Sequence, residues 1–478
     1  MQTKYDVIII GAGVVGCALA RYLTRFKLSV AVFEKEADVC DGISRANSGV
    51  LHAGFNVPPG SLKAKLNVAG VGLFFQIAEE LGLEYSVCGK VVTAKNAKEH
   101  ETLLKLFDWG TKNGCIGLSL ISGEEAEKLQ PGIISTSALY SEKTAVFSPY
   151  KYTIALAESA RQNGAVFHTE TGIKEIKEEN AGPVVITENN DKFSSRWIIN
   201  AAGLGASHLA KQIDPVSPTV YPFRGQYQIL DKAAASYLQM AVYPVPPADG
   251  KGLGIHITPT PEGNILIGPS AEFIDSETQT NTTREVQQVL TQEARELLPA
   301  LKNELPIRVY AGIRPKLSPP NIGEFKDYYI KESITVPNVI HLLGIESPGL
   351  TAAPAIARYI VDTFITPKET LLENPDFNPR LYNNPAEGIK SPEEIVCRCE
   401  EVTKQEIANS YLRLFGPVSV QALKKRCRIT GGRCQGGYCL VRLVPFLQEE
   451  FGVNPTSLVL RSKTSPLFFQ NETHSDNA

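Results

Sequence analysis

Six residues near the start of the chain, Gly11-Ala12-Gly13-Val14-Val15-Gly16, constrain its fold more than any other feature. They follow the G-x-G-x-x-G pattern in the setting that gives it a mechanical meaning. The mostly apolar stretch Tyr5 to Ile10 predicts a buried strand before them, Cys17 to Phe26 a helix after them, and Leu28 to Phe33 a second strand ending at Glu34. In such a βαβ unit Gly11 permits the tight turn, Gly13 lets backbone approach a pyrophosphate, and Gly16 lets helix pack closely on strand. The helix's N-terminal amides then face the phosphates, and Glu34 stands where a carboxylate accepts ribose hydroxyls. The chain therefore opens with a dinucleotide site.

With 478 residues there is room for roughly two to four domains, and 43% apolar with 21% charged residues is an ordinary globular composition. A formal net charge of −3 without a long basic stretch argues against nucleic acid as a partner. The longest nearly unbroken apolar run, Val7 to Ala20, has 14 residues with three glycines, too short and glycine-rich to span a bilayer. No signal peptide is visible. A soluble, cytoplasmic protein without a transmembrane segment is expected, peripheral membrane contact being left open.

Helices are expected at Leu66 to Leu81, Ser148 to Asn163, Thr283 to Leu298 and Leu350 to Phe364, and strands at Ala165 to Ile176, Val184 to Ile199 and Val339 to Leu343. From Val220 to Ile267, turn signals at Pro222, Gly225, Gly252 and Pro261-Glu262-Gly263 predict a mainly antiparallel sheet, followed by a strand containing Ile307 to Ile313. Five prolines between 367 and 392 read as a linker, 393–465 as a compact helical module and 466–478 as a tail whose polar end, Asn471 to Ala478, frays.

Three further stretches favour a flavin. Ser44-Arg45-Ala46-Asn47-Ser48-Gly49, running on to Gly54, is small and polar enough to pass beside a flat ring. Ala202 and Gly203 end a strand with residues that admit a dinucleotide. Gly344-Ile345-Glu346-Ser347-Pro348-Gly349-Leu350-Thr351 sets a loop at a helix start, whose partial positive charge suits a reduced, anionic flavin.

These stretches, with NSGVLHAG (47–54), PGSLKAKL (59–66), FRGQY (223–227), LGIHITPTPEGNILIGP (253–269), AGIRPK (311–316) and GIESPGLTAAPAIA (344–357), resemble the D-amino-acid-oxidase superfamily of FAD-dependent oxidoreductases. The closer likeness is to its glycerol-3-phosphate dehydrogenase and L-2-hydroxyglutarate dehydrogenase branches. The resemblance implies an α/β fold: a discontinuous Rossmann-like FAD-binding domain (1–85, 150–215 and 325–366) and an antiparallel β-rich substrate domain (86–149 and 216–324). A small helical iron–sulfur module follows.

Flavin-linked oxidation of an alcohol needs a base for the hydroxyl proton and an anchor for substrate charge. His256, between Gly254 and Thr258 on an expected strand, is the candidate base, and its G-x-H-I setting resembles a flavin-facing histidine. His52 competes for a direct role: orienting the ring, assisting proton transfer or carrying a covalent flavin link. Arg314 offers the planar fork that grips a carboxylate or phosphate, a role the resemblance also implies. Lys316 and Arg224 are candidates for a second anionic group.

Five of nine cysteines fall between 397 and 439. Cys397 and Cys399 form C-x-C, and after 34 residues Cys434 and Cys439 form C-x4-C. Four thiolates so paired satisfy the two irons of a [2Fe–2S] cluster, or one zinc. Thr403-x-x-Glu406 reads as a capping box, a second helix begins near Ser419, and a third begins at Cys439, where its dipole would favour a thiolate. The run from Cys397 to Cys439 resembles the bacterioferritin-associated-ferredoxin-like [2Fe–2S] domain, which implies those four cysteines as ligands; Cys427, inside the expected second helix, reads as a bystander. Lys424, Lys425, Arg426, Arg428 and Arg433 read as a solvated face offsetting the cluster's charge, or as a docking patch for an acidic electron acceptor.

The expected function is a dehydrogenase that oxidises a small anionic hydroxy substrate, sn-glycerol 3-phosphate first and L-2-hydroxyglutarate second, and passes electrons through the cluster to a partner protein or subunit. YPVP (243–246) with LGIH (253–256) leans toward the second substrate. Amine or amino-acid oxidation and a non-catalytic electron relay are the other readings.

Overall fold

The structure, a computed structural model, describes residues 3–179, 182–246, 254–320, 325–382 and 384–468. The turn signal at Gly252 and the polar end Asn471 to Ala478 lie outside the described residues. The chain divides into two compact units: 1–35 with 39–381, and 36–38 with 382–478.

The first unit contains two large sheets. In one, strands Val166–His168, Val30–Phe33, Thr3–Ile10 and Lys192–Asn200 lie side by side, all parallel. The far half of Lys192–Asn200 continues the parallel set through Val339–Leu343, and its near half pairs antiparallel with Gly182–Thr187. The central strands are apolar on both faces because helices cover both, as a parallel sheet requires. Ile10 stands level with Phe33 and with Asn200, so Gly11, Glu34 and Ala201 leave the sheet together at its carboxyl edge.

Two expected strands are each broken in two. Val184 to Ile199 is a hairpin, because Glu188 to Asp191 is a polar turn with Asn190 at φ 68°. Ala165 to Ile176 splits into Val166–His168 and Ile173–Glu179 around Glu170 at φ 52°, and the halves join opposite edges of the sheet. Two helix starts agree with the sequence, while the first helix, expected over Cys17 to Phe26, runs Val14–Leu23. Pro149–Gln162 begins at the Ser148 cap and Arg284–Leu297 at Thr283. Helix Leu62–Leu81 starts a turn earlier than expected, because the Ser61 side chain accepts the Ala64 N–H and Asp327 accepts those of Leu62 and Lys63.

The second sheet has nine strands among the described residues and is mainly antiparallel. Its longest pairing joins Tyr221–Leu230 to Pro306–Lys316 from Tyr221–Lys316 to Leu230–Pro306. Strand Lys90–Ala94 enters through a parallel pairing with Ala241–Pro244. On one face Val91, Val242, Ile257 and Ile267 pack with Leu290, Ala294 and Leu297 of helix Arg284–Leu297. The other face carries the site.

The stretch 367–392 is not a free linker. Leu372 and Asn374 hydrogen-bond Lys27 and Arg25, and the Asn378 amide donates to Asn163, so chain up to Leu381 is bound into the first unit. Its prolines suit an extended strap with few backbone donors to satisfy.

The second unit places helices Lys404–Leu412, Val420–Cys427 and Leu440–Phe451 around Ile407, Leu423, Ile429, Leu443 and Phe446. Thr403 and Glu406 form the expected capping box, and Ser419 caps the second helix.

Helices Leu62–Leu81 and Gly349–Ile360 cross so closely at Gly70 that a Cβ there would stand 2.2 Å from the Thr351 carbonyl oxygen. Gly70→Ala is therefore expected to destabilise the first unit by about 2 kcal/mol, seen as a lower Tm, since backbone and not a movable side chain is in the way.

Candidate active site and iron–sulfur module

The glycine turn forms a close-packed cradle. Gly11 has φ 103°, and a Cβ on it would lie 2.7 Å from the Ala201 carbonyl oxygen; one on Gly16 would lie 1.9 Å from the Gly11 oxygen. A Cβ on Gly13 would meet only Ser44 Oγ, at 3.1 Å. No side chain caps the helix at Gly13, although Ser44 Oγ accepts the Val14 N–H at 2.9 Å. Glu34 is buried and its Oε2 accepts the Ala12 N–H at 2.7 Å, which fixes the carboxylate beside the turn.

The other expected contributors converge here. Gly203, at φ 60°, turns its backbone toward Ile43, next to Ser44, and Ala202 precedes it. Asn47 closes its own loop by donating to the Ser44 carbonyl and accepting the Gly49 N–H, with Ser48 between, while Arg45 donates to the Asp41 carbonyl. The helix opened by Gly349 and Leu350 has no side-chain cap, and Thr351 Oγ1 accepts the His52 N–H. Gly344, at φ 69°, turns that loop over Leu317, and Ser347 lies within it. An uncapped helix start, glycines without room for a Cβ and a buried carboxylate fit a dinucleotide with an attached ring.

Alternation along the second sheet assembles the chemistry. Tyr310, Gly312 and Arg314 share a face with Phe223, Gly225 and Tyr227, and in this register His256, Tyr243 and Lys90 share it too. Gly312 brings that face against the flavin-side loop, where a Cβ would stand 2.3 Å from the Ala46 carbonyl oxygen. His256 is 2% exposed, stacks on Tyr243 at 3.9 Å between ring centroids, and pairs Nδ1 with Thr258 Oγ1 at 3.1 Å. Burial, helped by His52, Lys90 and Arg314, holds His256 well below its usual value. Burial, Lys90 and Arg314 push His52 down to about 3, and its buried Nδ1 has no hydrogen-bond partner among the described residues. Both imidazoles are neutral at physiological pH.

Arg314 lies over the Phe223 ring and is held by the Ser270 carbonyl. Lys316 shares that ring at 4.5 Å. Arg224 does not join them. It projects from the opposite face and is taken by Glu272 and Asn281, each at 2.8 Å, so its expected role as a second anion contact is withdrawn. The sequence reading missed Lys90, Tyr243 and the buried pair Lys63–Glu346, 3.0 Å apart. The one signal for Lys90 was a lysine opening the otherwise apolar run Lys90-Val91-Val92-Thr93-Ala94.

In the second unit the four expected cysteines meet as two pairs: Cys397 bonds to Cys439, and Cys399 to Cys434. Each pair takes one thiol from each motif. Backbone amides of Glu400 and Thr430 also donate to Cys397, and those of Tyr438 and Gly436 to Cys434, the contacts that stabilise cluster sulfurs. The thiolate-favouring position is not Cys439, which is buried and gives its proton to the pair. Cys397 is held low, at about 6, by that bond and those amides, and the Tyr438 and Gly436 amides lower Cys434 as well. Cys427 stays apart, bonded to the Leu423 carbonyl. The centre of the basic run is not a solvated face, although Arg433 is exposed: Asp38 receives Arg426 through both oxygens and Lys425 at 3.1 Å, all three buried. Arg428 pairs with Glu400 at 2.7 Å, and Lys424 donates to the Thr430 carbonyl.

Comparison with known proteins agrees with both halves. Residues 6–363 match the family of FAD dependent oxidoreductases known as DAO, and 395–449 match the BFD-like [2Fe-2S] binding domain. The chain belongs to the DAO family of FAD-dependent oxidoreductases and carries a BFD-like [2Fe–2S] domain. It is 35% identical to a glycerol 3-phosphate dehydrogenase of Caloramator mitchellensis over 95% of this chain and 96% of that one. It is 30% identical to a mitochondrial L-2-hydroxyglutarate dehydrogenase of Arabidopsis thaliana over 76% of this chain and 84% of that one. The FAD-bound, dithionite-reduced L-alpha-glycerophosphate oxidase of Mycoplasma pneumoniae superposes with a TM-score of 0.73 at 30% identity, covering 80% of this chain and 99% of that one. Among the described residues no helix is long and apolar enough to cross a membrane.

Because the thiols and the glycine cradle belong to separately packed units, Cys399→Ser is expected to remove bound iron and sulfide while leaving FAD content unchanged. Metal analysis and the visible spectrum of the purified protein check this.

Proposed function

We propose that this protein is a dehydrogenase of small anionic hydroxy compounds, with sn-glycerol 3-phosphate as substrate. The observation that carries the reading is the placement of Arg314 and a neutral, buried His256 on one face of the second sheet, beside the loop that holds His52. The near full-length likeness to a glycerol 3-phosphate dehydrogenase supports this substrate. L-2-hydroxyglutarate is the second reading, supported by YPVP (243–246) and by the Arabidopsis relative.

Bound FAD supplies a two-electron acceptor, and the [2Fe–2S] cluster a one-electron outlet toward an acceptor protein or subunit. Gly11, Gly13, Gly16, Glu34, Ser44, Arg45, Asn47, Ser48, Ala202 and Gly203 would hold the dinucleotide, and Gly344 to Thr351 the ring end. Arg314 binds the substrate's anionic group with two parallel hydrogen bonds. Thr258 fixes the His256 ring through Nδ1, which leaves Nε2 to take the hydroxyl proton. Burial does most to keep His256 deprotonated and the nearby cations add to it; a docking anion offsets the cations, so substrate itself raises the basicity of His256 at the moment a base is required. His52 has the buried, unpartnered Nδ1 of a group that orients or relays.

Mixed anaerobically with glycerol 3-phosphate, the protein is expected to lose its visible flavin absorption within the mixing time. Arg314→Ala should lower kcat/KM by about 3 kcal/mol, roughly 100-fold. His256→Asn should slow flavin reduction by about 10²-fold or more with little change in anion binding. If neither hydroxy anion bleaches the flavin and Arg314→Ala changes nothing, the protein is an electron relay and not a dehydrogenase.

A further inference from the structure

Strand Lys90–Ala94 is buried along its whole length, yet it opens with a lysine that is 2% exposed. A lysine so placed is ordinarily matched by a carboxylate. Lys90 has none: among the described residues its ammonium makes no ion pair and no hydrogen bond. Its ammonium instead lies 4.3 Å from the Phe55 ring centroid and 4.8 Å from that of Tyr243. Both rings belong to the site, since Phe55 closely follows His52 in sequence and Tyr243 is stacked on His256.

The groups facing Lys90 are Cys88, Cys115, Tyr243, His52 and His256. None supplies negative charge. Burial raises both thiols, Cys115 to about 11, and raises Tyr243, while both imidazoles are neutral. Contact with two ring faces offsets only part of the desolvation of an ammonium. Among the described residues no anion faces Lys90.

We propose that Lys90 is a substrate-binding residue that takes the second negative charge of a dianion, so that with Arg314 it selects phosphate monoesters or dicarboxylates over singly charged hydroxy compounds. This rests on the reading that the site oxidises an anionic hydroxy compound. Burial pushes Lys90 down to about 7, so in the free protein it is partly deprotonated at neutral pH. A docked dianion restores the proton. Binding above neutrality must therefore take up a proton, and affinity must fall as pH rises through that value.

The test is titration calorimetry of the FAD-loaded protein with two dianions it does not oxidise, dihydroxyacetone phosphate and 2-oxoglutarate, and with the mono-anion pyruvate. Heats in buffers of different ionisation enthalpy read out proton uptake. Lys90→Met should weaken the preferred dianion by roughly tenfold or more, leave pyruvate within about twofold and abolish proton uptake, and Lys90→Arg should recover much of the affinity. In turnover the loss should appear in KM more than in kcat. Which dianion loses more identifies phosphate or dicarboxylate. Equal weakening of dianion and mono-anion, unchanged dianion binding, or proton uptake that survives in Lys90→Met would overturn the proposal. Should Lys90→Met fail to fold, absence of proton uptake by the wild type overturns it alone. Lys90-dependent dianion binding without flavin reduction by any hydroxy compound would remove the proposed dehydrogenase activity and leave this binding role standing.

Discussion

The register between strands Tyr221–Leu230 and Pro306–Lys316 is the constraint on which the substrate side of this protein depends. Side chains alternate with a period of two, so a slip of one residue would exchange every group on one face for those on the other. With Arg314 opposite Phe223 and Gly312 opposite Gly225, the guanidinium lies over an aromatic ring and the strand's backbone comes against Ala46. Shifted by one, Ile313 would face the pocket and the guanidinium would enter the layer of Val242, Ile257 and Leu290. There it would come level with Arg224, which already occupies Glu272, so a second buried charge would be left without its own partner and burial of Arg314 would be strongly unfavourable. Hydrophobic packing on one face thus sets the polar constellation on the other.

That constellation is electrostatically one-sided. Arg314 and Lys90 lie near two imidazoles, and burial suppresses positive charge on the histidines. Such a site disfavours an added cation and favours an anion, and the two effects are one linkage: whatever makes an anion bind also makes a histidine more basic. Selection of an acidic substrate and the readiness to take its hydroxyl proton follow from the same charges.

The iron–sulfur unit works on shorter-range rules. Thr403, Ser419 and Cys439 start its three helices, and those starts bring C-x-C against C-x4-C so that each thiol pairs across motifs. Amides donated to Cys397 and Cys434 stabilise negative sulfur before any iron arrives. The neighbouring basic run serves the fold: a bidentate Arg426–Asp38 pair with Lys425 on the same carboxylate holds Asp38 ionised against the effect of its own burial.

Local chemistry was legible in the sequence wherever neighbours along the chain decide the outcome. The Gly11–Gly16 turn, the Thr403–Glu406 capping box and the Ser148 and Ser419 caps all depend on contacts a few residues apart. The hairpin hidden in Val184 to Ile199 and the break in Ala165 to Ile176 escaped because polar turns there interrupt runs that otherwise read as continuous β. The proline-rich strap up to Leu381 escaped for a different reason: its partners, Arg25, Lys27 and Asn163, are hundreds of residues away. Arg224 and Arg314 are both arginines on strands, and only the parity of the sheet sends one to Glu272 and the other to the pocket. Lys90 is likewise ordinary in sequence and unusual only because tertiary packing buried it without a carboxylate. The sequence by itself determined the cofactor motifs, since backbone turns and ligand spacings are local. Tertiary structure alone decided which charges share a cavity, because that depends on register and burial, to which no single segment holds the key.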